Sequence, residues 1–91
     1  MKTVRVIVRG RVQGVGFRAW MQYEALARGL SGWVRNRRDG AVEAVLSGEE
    51  EMVDRMLAAM REGPRVAVVT AVEVAGWREE VGSTFEVKPT V

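Results

Sequence analysis

The chain has 91 residues, 47% of them apolar and 29% charged, with a net charge of +2. That balance predicts a single globular domain over residues 1–91 and excludes a disordered chain, whose apolar content is lower and whose charge is more one-sided. The absence of cysteine and histidine excludes disulfides, thiolate nucleophiles, Cys/His zinc sites and Ser-His-Asp triads.

Val4, Val6 and Val8 alternate with Arg5 and Arg9, the period of a strand with one buried face. Glycines at 10, 14 and 16 follow, and then Ala19, Tyr23, Leu26, Ala27 and Leu30 recur at helical spacing. That stripe is expected to face the core, with Gln22 and Arg28 on the opposite side and Gly29 closing the helix. Trp33 to Arg37 and Ala41 to Leu46 are β-favouring runs around Arg38-Asp39-Gly40, where an Asp-Gly pair supplies positive φ for a tight hairpin. Ser47 and Glu50 have the spacing of a capping box, and Val53, Met56, Leu57 and Met60 form the apolar stripe of a second helix that stops at Gly63-Pro64. Val66 to Val74 reads as a fourth strand and Phe85 to Lys88 as a short fifth. The order is that of a ferredoxin-like βαββαβ sandwich, α+β, with an extra C-terminal strand and both helices on one face of a mostly antiparallel sheet.

The longest apolar run, Met56 to Met60, is far short of the ~20 residues of a membrane span and of a signal-peptide core. The expectation is a soluble cytoplasmic chain. Residues 1–38 hold nine Lys/Arg against Glu24 alone, whereas residues 39–91 hold five against eleven acids. A basic first half points to an anionic partner, from a phosphate to a nucleic acid, or simply to solvated charges on alternating elements.

Gly10-Arg11-Val12-Gln13-Gly14-Val15-Gly16-Phe17-Arg18 links a strand to a helix. A glycine loop that opens a helix can turn consecutive N–H groups inward, and the helix N-terminus adds partial positive charge, so the pair can cradle a phosphate. Arg18 can grip two oxygens of such a group. The same stretch also reads as an ordinary turn with a surface arginine, and it is neither a Walker A loop nor a dinucleotide fingerprint. Asn36, the only asparagine, stands near a strand end where its propensity is poor; it can hold a water beside a bound phosphoryl group, or begin the turn.

GRVQGVGFR, followed after one helix by GWVRN, Asp39-Gly40 and Val42-Glu43, resembles the acylphosphatase family in order, spacing and residue type from Val4 to about Val74. The resemblance implies that Gln13, Gly14, Val15, Gly16, Phe17 and Arg18 form a phosphate-binding loop of backbone N–H groups, that Arg18 clamps the phosphoryl group, and that Asn36 positions the attacking water. It implies a small acyl phosphate as substrate, inorganic phosphate or another anion at the loop, no metal or other cofactor, no nucleic acid or membrane, and a monomer. The reacting groups handle the end common to all acyl phosphates, so they do not choose among carbamoyl, acetyl, bisphosphoglycerate or protein aspartyl phosphates. Trp20 and Tyr23 are expected in the core or at its margin rather than recognising an acyl group. An RNA-binding module on this topology stacks bases on strand aromatics, but Ala41 to Leu46 carries none and presents Glu43. A regulatory domain that holds an acyl phosphate without turnover is the other alternative; a chain of 91 residues favours the free enzyme.

Overall fold

Alternating valines place every second side chain on one side of a strand, and in the computed structural model, which describes residues 1–91, that strand, β1, spans Lys2–Arg11. After it come α1 (Phe17–Ala27), β2 (Ser31–Asn36), β3 (Val42–Gly48), α2 (Glu50–Glu62), β4 (Val68–Gly76) and β5 (Phe85–Val87). The strands make one sheet in the order β4-β1-β3-β2-β5, antiparallel throughout except for the parallel pair β2 and β5. This is the expected ferredoxin-like α+β sandwich. No helix is long and apolar enough to cross a membrane.

The core lies between the two helices and one face of the sheet. Val4, Val6 and Val8 meet Val42, Ala44 and Leu46 of β3, Val34 of β2 and Phe85 of β5, and Phe17, Met21, Ala25, Val53, Met56 and Met60 come down from the helices. Each such side chain contributes roughly 1.5–3 kcal/mol on burial. All seven residues of β3 are buried, as befits a strand paired on both edges and covered on both faces.

Four expectations need correction. The buried stripe of α1 is Phe17, Met21 and Ala25, while Ala19, Tyr23, Leu26 and Ala27 face solvent and only Leu30 of the expected set is buried. Apolar residues occupy both sides of this helix, so periodicity alone did not choose between them. Phe17 and Met21 fill the core, and Gln22 Nε2, donating to the Phe85 carbonyl at 3.0 Å, fixes the rotation. Trp20 does pack against the core margin, but Tyr23 does not.

The capping box does not form. Ser47 lies within β3 and shares a hydrogen bond with Thr3 at 2.8 Å, and α2 is capped at Glu49 without a side-chain bond. In the β2–β3 hairpin only Gly40, at φ 95°, has positive φ; Asp39 does not. Arg37 N–H pairs with the Ala41 carbonyl at 2.8 Å and Gly40 N–H with the Arg37 carbonyl at 3.1 Å, so the connection is a three-residue loop ending in a left-handed glycine. The fourth strand begins at Val68 rather than Val66, because Ala67 N–H bonds the Pro64 carbonyl at 2.9 Å and holds the preceding residues in a turn.

The face away from the helices carries charge. Glu43, only 4% exposed, stands opposite Arg35 and diagonal to Arg5, accepting from Arg35 Nε at 2.8 Å and Arg5 Nε at 2.6 Å. Arg35 also lies over the Trp33 ring, 4.6 Å from its centroid. Burial pushes the Glu43 carboxyl up, but the hydrogen bonds and charges of Arg35 and Arg5 outweigh it and hold the group below its ordinary value of 4.5.

A depressed carboxyl pKa stabilises the fold above the unfolded value, and the contribution is lost as pH falls through the folded one. Glu43→Gln is therefore expected to cost about 1–3 kcal/mol near pH 7. The gap from wild type should narrow in acid, as pH falls below 4.5 and on through the lower value of the folded state, where both chains carry a neutral group. Urea denaturation at the two pH values checks this; a gap that widens in acid would contradict the assignment.

Candidate active site

β1 and α1 are joined by Val12–Gly16, and two glycines set the shape of the turn: φ is 74° at Gly14 and 77° at Gly16. Side chains rarely adopt this region, although added Cβ atoms would meet nothing within 4 Å at either position. The requirement is therefore on the backbone and not on space. Gly16 is the N-cap of α1 and has no side chain to bond the helix's first N–H groups.

None of the N–H groups from Gly14 to Ala19 bonds a protein acceptor; the first that does is Trp20, to the Gly16 carbonyl at 3.0 Å. Helix α1 has no acidic residue in its first turn and instead carries Arg18 there. These groups line a cleft of about 310 Å³ whose walls include Gln13, Gly14, Gly16, Phe17, Arg18 and Asn36. Half-buried Arg18 belongs to none of the ion pairs in the chain, which engage Lys2, Arg5, Arg9, Arg28, Arg35, Arg37 and Arg55.

Asn36 is the last residue of β2, and its Oδ1 is buried without a hydrogen-bond partner. A buried lone acceptor is costly, which suits a group held ready for a donor. Its main chain is held from the side opposite β3: Val91 N–H donates to the Asn36 carbonyl at 3.1 Å and Arg38 N–H to the Val91 carbonyl at 2.8 Å. Lys88 N–H donates to the Val34 carbonyl at 2.8 Å, so the tail after β5 keeps pairing alongside β2 as far as Val91.

Gln13 links the two halves of the cleft. Its Nε2 donates to the carbonyls of Arg37 at 2.7 Å and Ala41 at 2.9 Å, tying the loop to the hairpin one residue beyond Asn36. Across the same hairpin, Ala41 N–H donates to Asp39 Oδ1 at 3.0 Å and, with Arg37 and Arg9 nearby, holds the Asp39 carboxyl below its usual range.

The cleft thus brings together six of the seven residues singled out in the sequence. Val15 is the exception: its side chain packs against the core and lines no part of the cleft. Phe17 borders the cleft from a buried position, 2% exposed, with its ring edge-to-face with Trp20 at 5.4 Å. Val12, Ala19, Gln22 and Val87 also line it and were not anticipated. Gln22 stands one turn after Arg18, a spacing that could have found it. Val87 reaches the site only because β5 pairs with β2, which no local pattern reveals.

Unpaired N–H groups, a helix N-terminus and a guanidinium without a carboxylate can together hold a tetrahedral anion. Beside it, a buried amide oxygen can accept a proton of a water molecule and direct the water's lone pair. The opposite sheet face offers no bare aromatic platform, since Trp33 is bracketed by Arg35 and Lys88 and met edge-on by Trp77 at 6.1 Å.

The acylphosphatase family model matches residues 4–87. Acylphosphatase 2 of Ralstonia nicotianae is 57% identical over 93 residues, covering 99% of this chain and 98% of that protein. The crystal structure of acylphosphatase from Bacillus subtilis superposes with a TM-score of 0.90 at 42% identity, covering 97% of this chain and 99% of that one. Full-length HypF in its phosphate- and nucleotide-bound form matches with a TM-score of 0.89 at 23% identity; this chain spans 12% of it, and the likeness is one of fold.

Gln13→Ala should lower stability by about 1–2 kcal/mol through the loss of two half-buried hydrogen bonds. Gln13→Glu should cost more, because a carboxylate would face two carbonyl oxygens. Urea unfolding of both variants, with amide exchange of Val12–Gly16, checks the order; equal stability for all three chains would show that the tether holds nothing.

Proposed function

Because the chain belongs to the acylphosphatase family, we propose that the cleft between the Gly14–Gly16 turn and Asn36 is where it hydrolyses acyl phosphates. The enzyme is an acylphosphatase, a hydrolase that splits the carboxyl–phosphate bond to give a carboxylate and inorganic phosphate. In the proposed division of labour the N–H groups of Gln13 through Arg18 and the Arg18 guanidinium hold the phosphoryl group, and Asn36 holds the water. The observation that carries this is the pairing of Arg18 and the loop N–H groups, free of protein acceptors, with the buried, unpartnered Oδ1 of Asn36 in one cleft.

The chemistry asks little more. Water attacks phosphorus, the bond from phosphorus to the acyl oxygen breaks, and the electron pair leaves with the carboxylate. That leaving group is a weak base and needs no general acid, so the lack of histidine is no obstacle. One proton of the water passes to a phosphoryl oxygen, and the products are a carboxylate and dihydrogen phosphate. Charge on the equatorial oxygens meets fixed N–H donors and Arg18, while Asn36 supplies alignment. No step calls for a metal ion or other cofactor. The same proposal has residues 1–91 working as one domain and as a monomer in the cytoplasm.

Arg18→Ala and Asn36→Ala are each expected to lose at least ~10²-fold in kcat/KM, as when one donor to a developing oxyanion is removed. Loss of Arg18 should raise KM and lower kcat, whereas loss of Asn36 should fall mainly on kcat. Steady-state hydrolysis of benzoyl phosphate in excess EDTA checks both. Activity within a few-fold of wild type in either variant would remove that residue from its role. A folded wild type that binds inorganic phosphate but does not turn over would favour the regulatory reading.

A further inference from the structure

The residues that hold the phosphoryl group leave the acyl end unassigned, and one surface of the molecule is otherwise unexplained. On α1 the stripe turned to solvent is apolar: Ala19 and Ala27 are exposed, Leu26 is 50% exposed and Tyr23 is 72% exposed, with no hydrogen bond or aromatic partner for the Tyr23 ring. Single exposed apolar residues are ordinary. This stripe differs because it is continuous with the cleft: Ala19 is part of the cleft wall, next in sequence to Arg18, and Tyr23 follows one turn later on the same face. Helical side chains lean toward the helix N-terminus, so Tyr23, itself outside the cleft wall, leans from its place one turn later toward Ala19, the small side chain at the cleft's edge.

In-line displacement adds a direction. The leaving group departs opposite the attacking water. Asn36 of β2 and Val87 of β5 close the sheet side of the cleft, so a water held at Asn36 sends the acyl group toward the outer side of α1. Helix α1 brings no free carboxylate to that side, since its one acid, Glu24, is tied to Arg28 at 2.6 Å.

The geometry points to Tyr23, with Ala19 beneath it, as a shelf for the acyl group that favours acyl phosphates with a flat aromatic or extended apolar acyl part over acetyl or carbamoyl phosphate. This rests on the assignment of the phosphoryl site above. Ala19 leaves room for the acyl chain, and the ring supplies an apolar face that a methyl or amino group is too small to reach.

The test compares wild type, Tyr23→Ala and Tyr23→Phe on benzoyl phosphate and on acetyl phosphate, with inorganic phosphate as competitive inhibitor. Tyr23→Ala should lose about three- to tenfold in kcat/KM on benzoyl phosphate, chiefly through KM, the size expected for one aromatic contact. Acetyl phosphate turnover and phosphate inhibition should stay within about twofold, and Tyr23→Phe should behave as wild type. An unchanged benzoyl phosphate KM in Tyr23→Ala, or an equal fall on both substrates, would overturn the shelf while leaving the phosphoryl site standing. Failure of wild type to hydrolyse both compounds would overturn the proposed hydrolysis at the cleft, and the shelf with it.

Discussion

Six consecutive backbone N–H groups, Gly14 to Ala19, bond no acceptor in the fold, and much of the surrounding structure makes that arrangement tolerable. A helix normally has its first N–H groups bonded by a capping side chain and its dipole complemented by an acid. Helix α2 follows half of this pattern, with Glu50 and Glu51 in its first turn. Helix α1 follows none of it: it begins on a left-handed glycine and sets a cation at its positive end. An arginine there is unfavourable by itself. Its placement makes sense when an anion completes the site, because one phosphoryl group answers the N–H donors, the dipole and the guanidinium together.

Holding such a turn open requires anchors on each side. Phe17, directly after the N-cap glycine, is buried against the core and fixes where the helix begins. Gln13 ties the other end of the turn to the Arg37 and Ala41 carbonyls, so the loop and Asn36 share one rigid connection. Gln22 bonds the Phe85 carbonyl and sets the rotation of α1, which in turn aims Arg18 into the cleft and Tyr23 out of it. On the far side, β5 and the residues to Val91 pair along β2 and support the main chain of Asn36 from outside. Residues far apart in sequence thereby hold the glycine turn and Asn36 in register.

The order of elements was legible because valine alternation, the glycine turns and the α2 stripe are local signals that agree with the final packing. Most of the lining of the candidate cleft was legible for the same reason, since Gly14, Gly16 and Arg18 lie within a single turn. What failed was orientation. Helix α1 is apolar on two sides, so spacing alone did not tell that Phe17 and Met21 face the core and Tyr23 does not. Ser47 and Glu50 have the spacing of a cap, but Ser47 is drawn into β3 by pairing with β1, a tertiary contact that overrides the local motif. Val87 and the tail at Val91 are beyond sequence reading, because they come beside Asn36 only through the parallel pairing of β5 with β2, a contact between segments some fifty residues apart that no local pattern encodes.

The uneven charge of the chain has a different meaning once the ion pairs are known. Nine basic residues crowd the first 38 positions, and as sequence they suggest a broad anionic partner. Most are neutralised within the fold: Lys2 by Asp54, Arg5 and Arg35 by Glu43, Arg9 by Glu73 and Asp39, Arg28 by Glu24, and Arg37 by Asp39. Four of the eleven acids of the second half, Asp39, Glu43, Asp54 and Glu73, are thus partners of bases of the first, brought to them by the tertiary fold. Arg18 is set apart from them by lying in a cleft among unpaired N–H donors. Arg11 and Arg38 are also without an ion pair, but neither lines the cleft, so the unpaired arginine that stands among the N–H donors there is Arg18, a match in scale for a single phosphoryl group and not for a long polyanion.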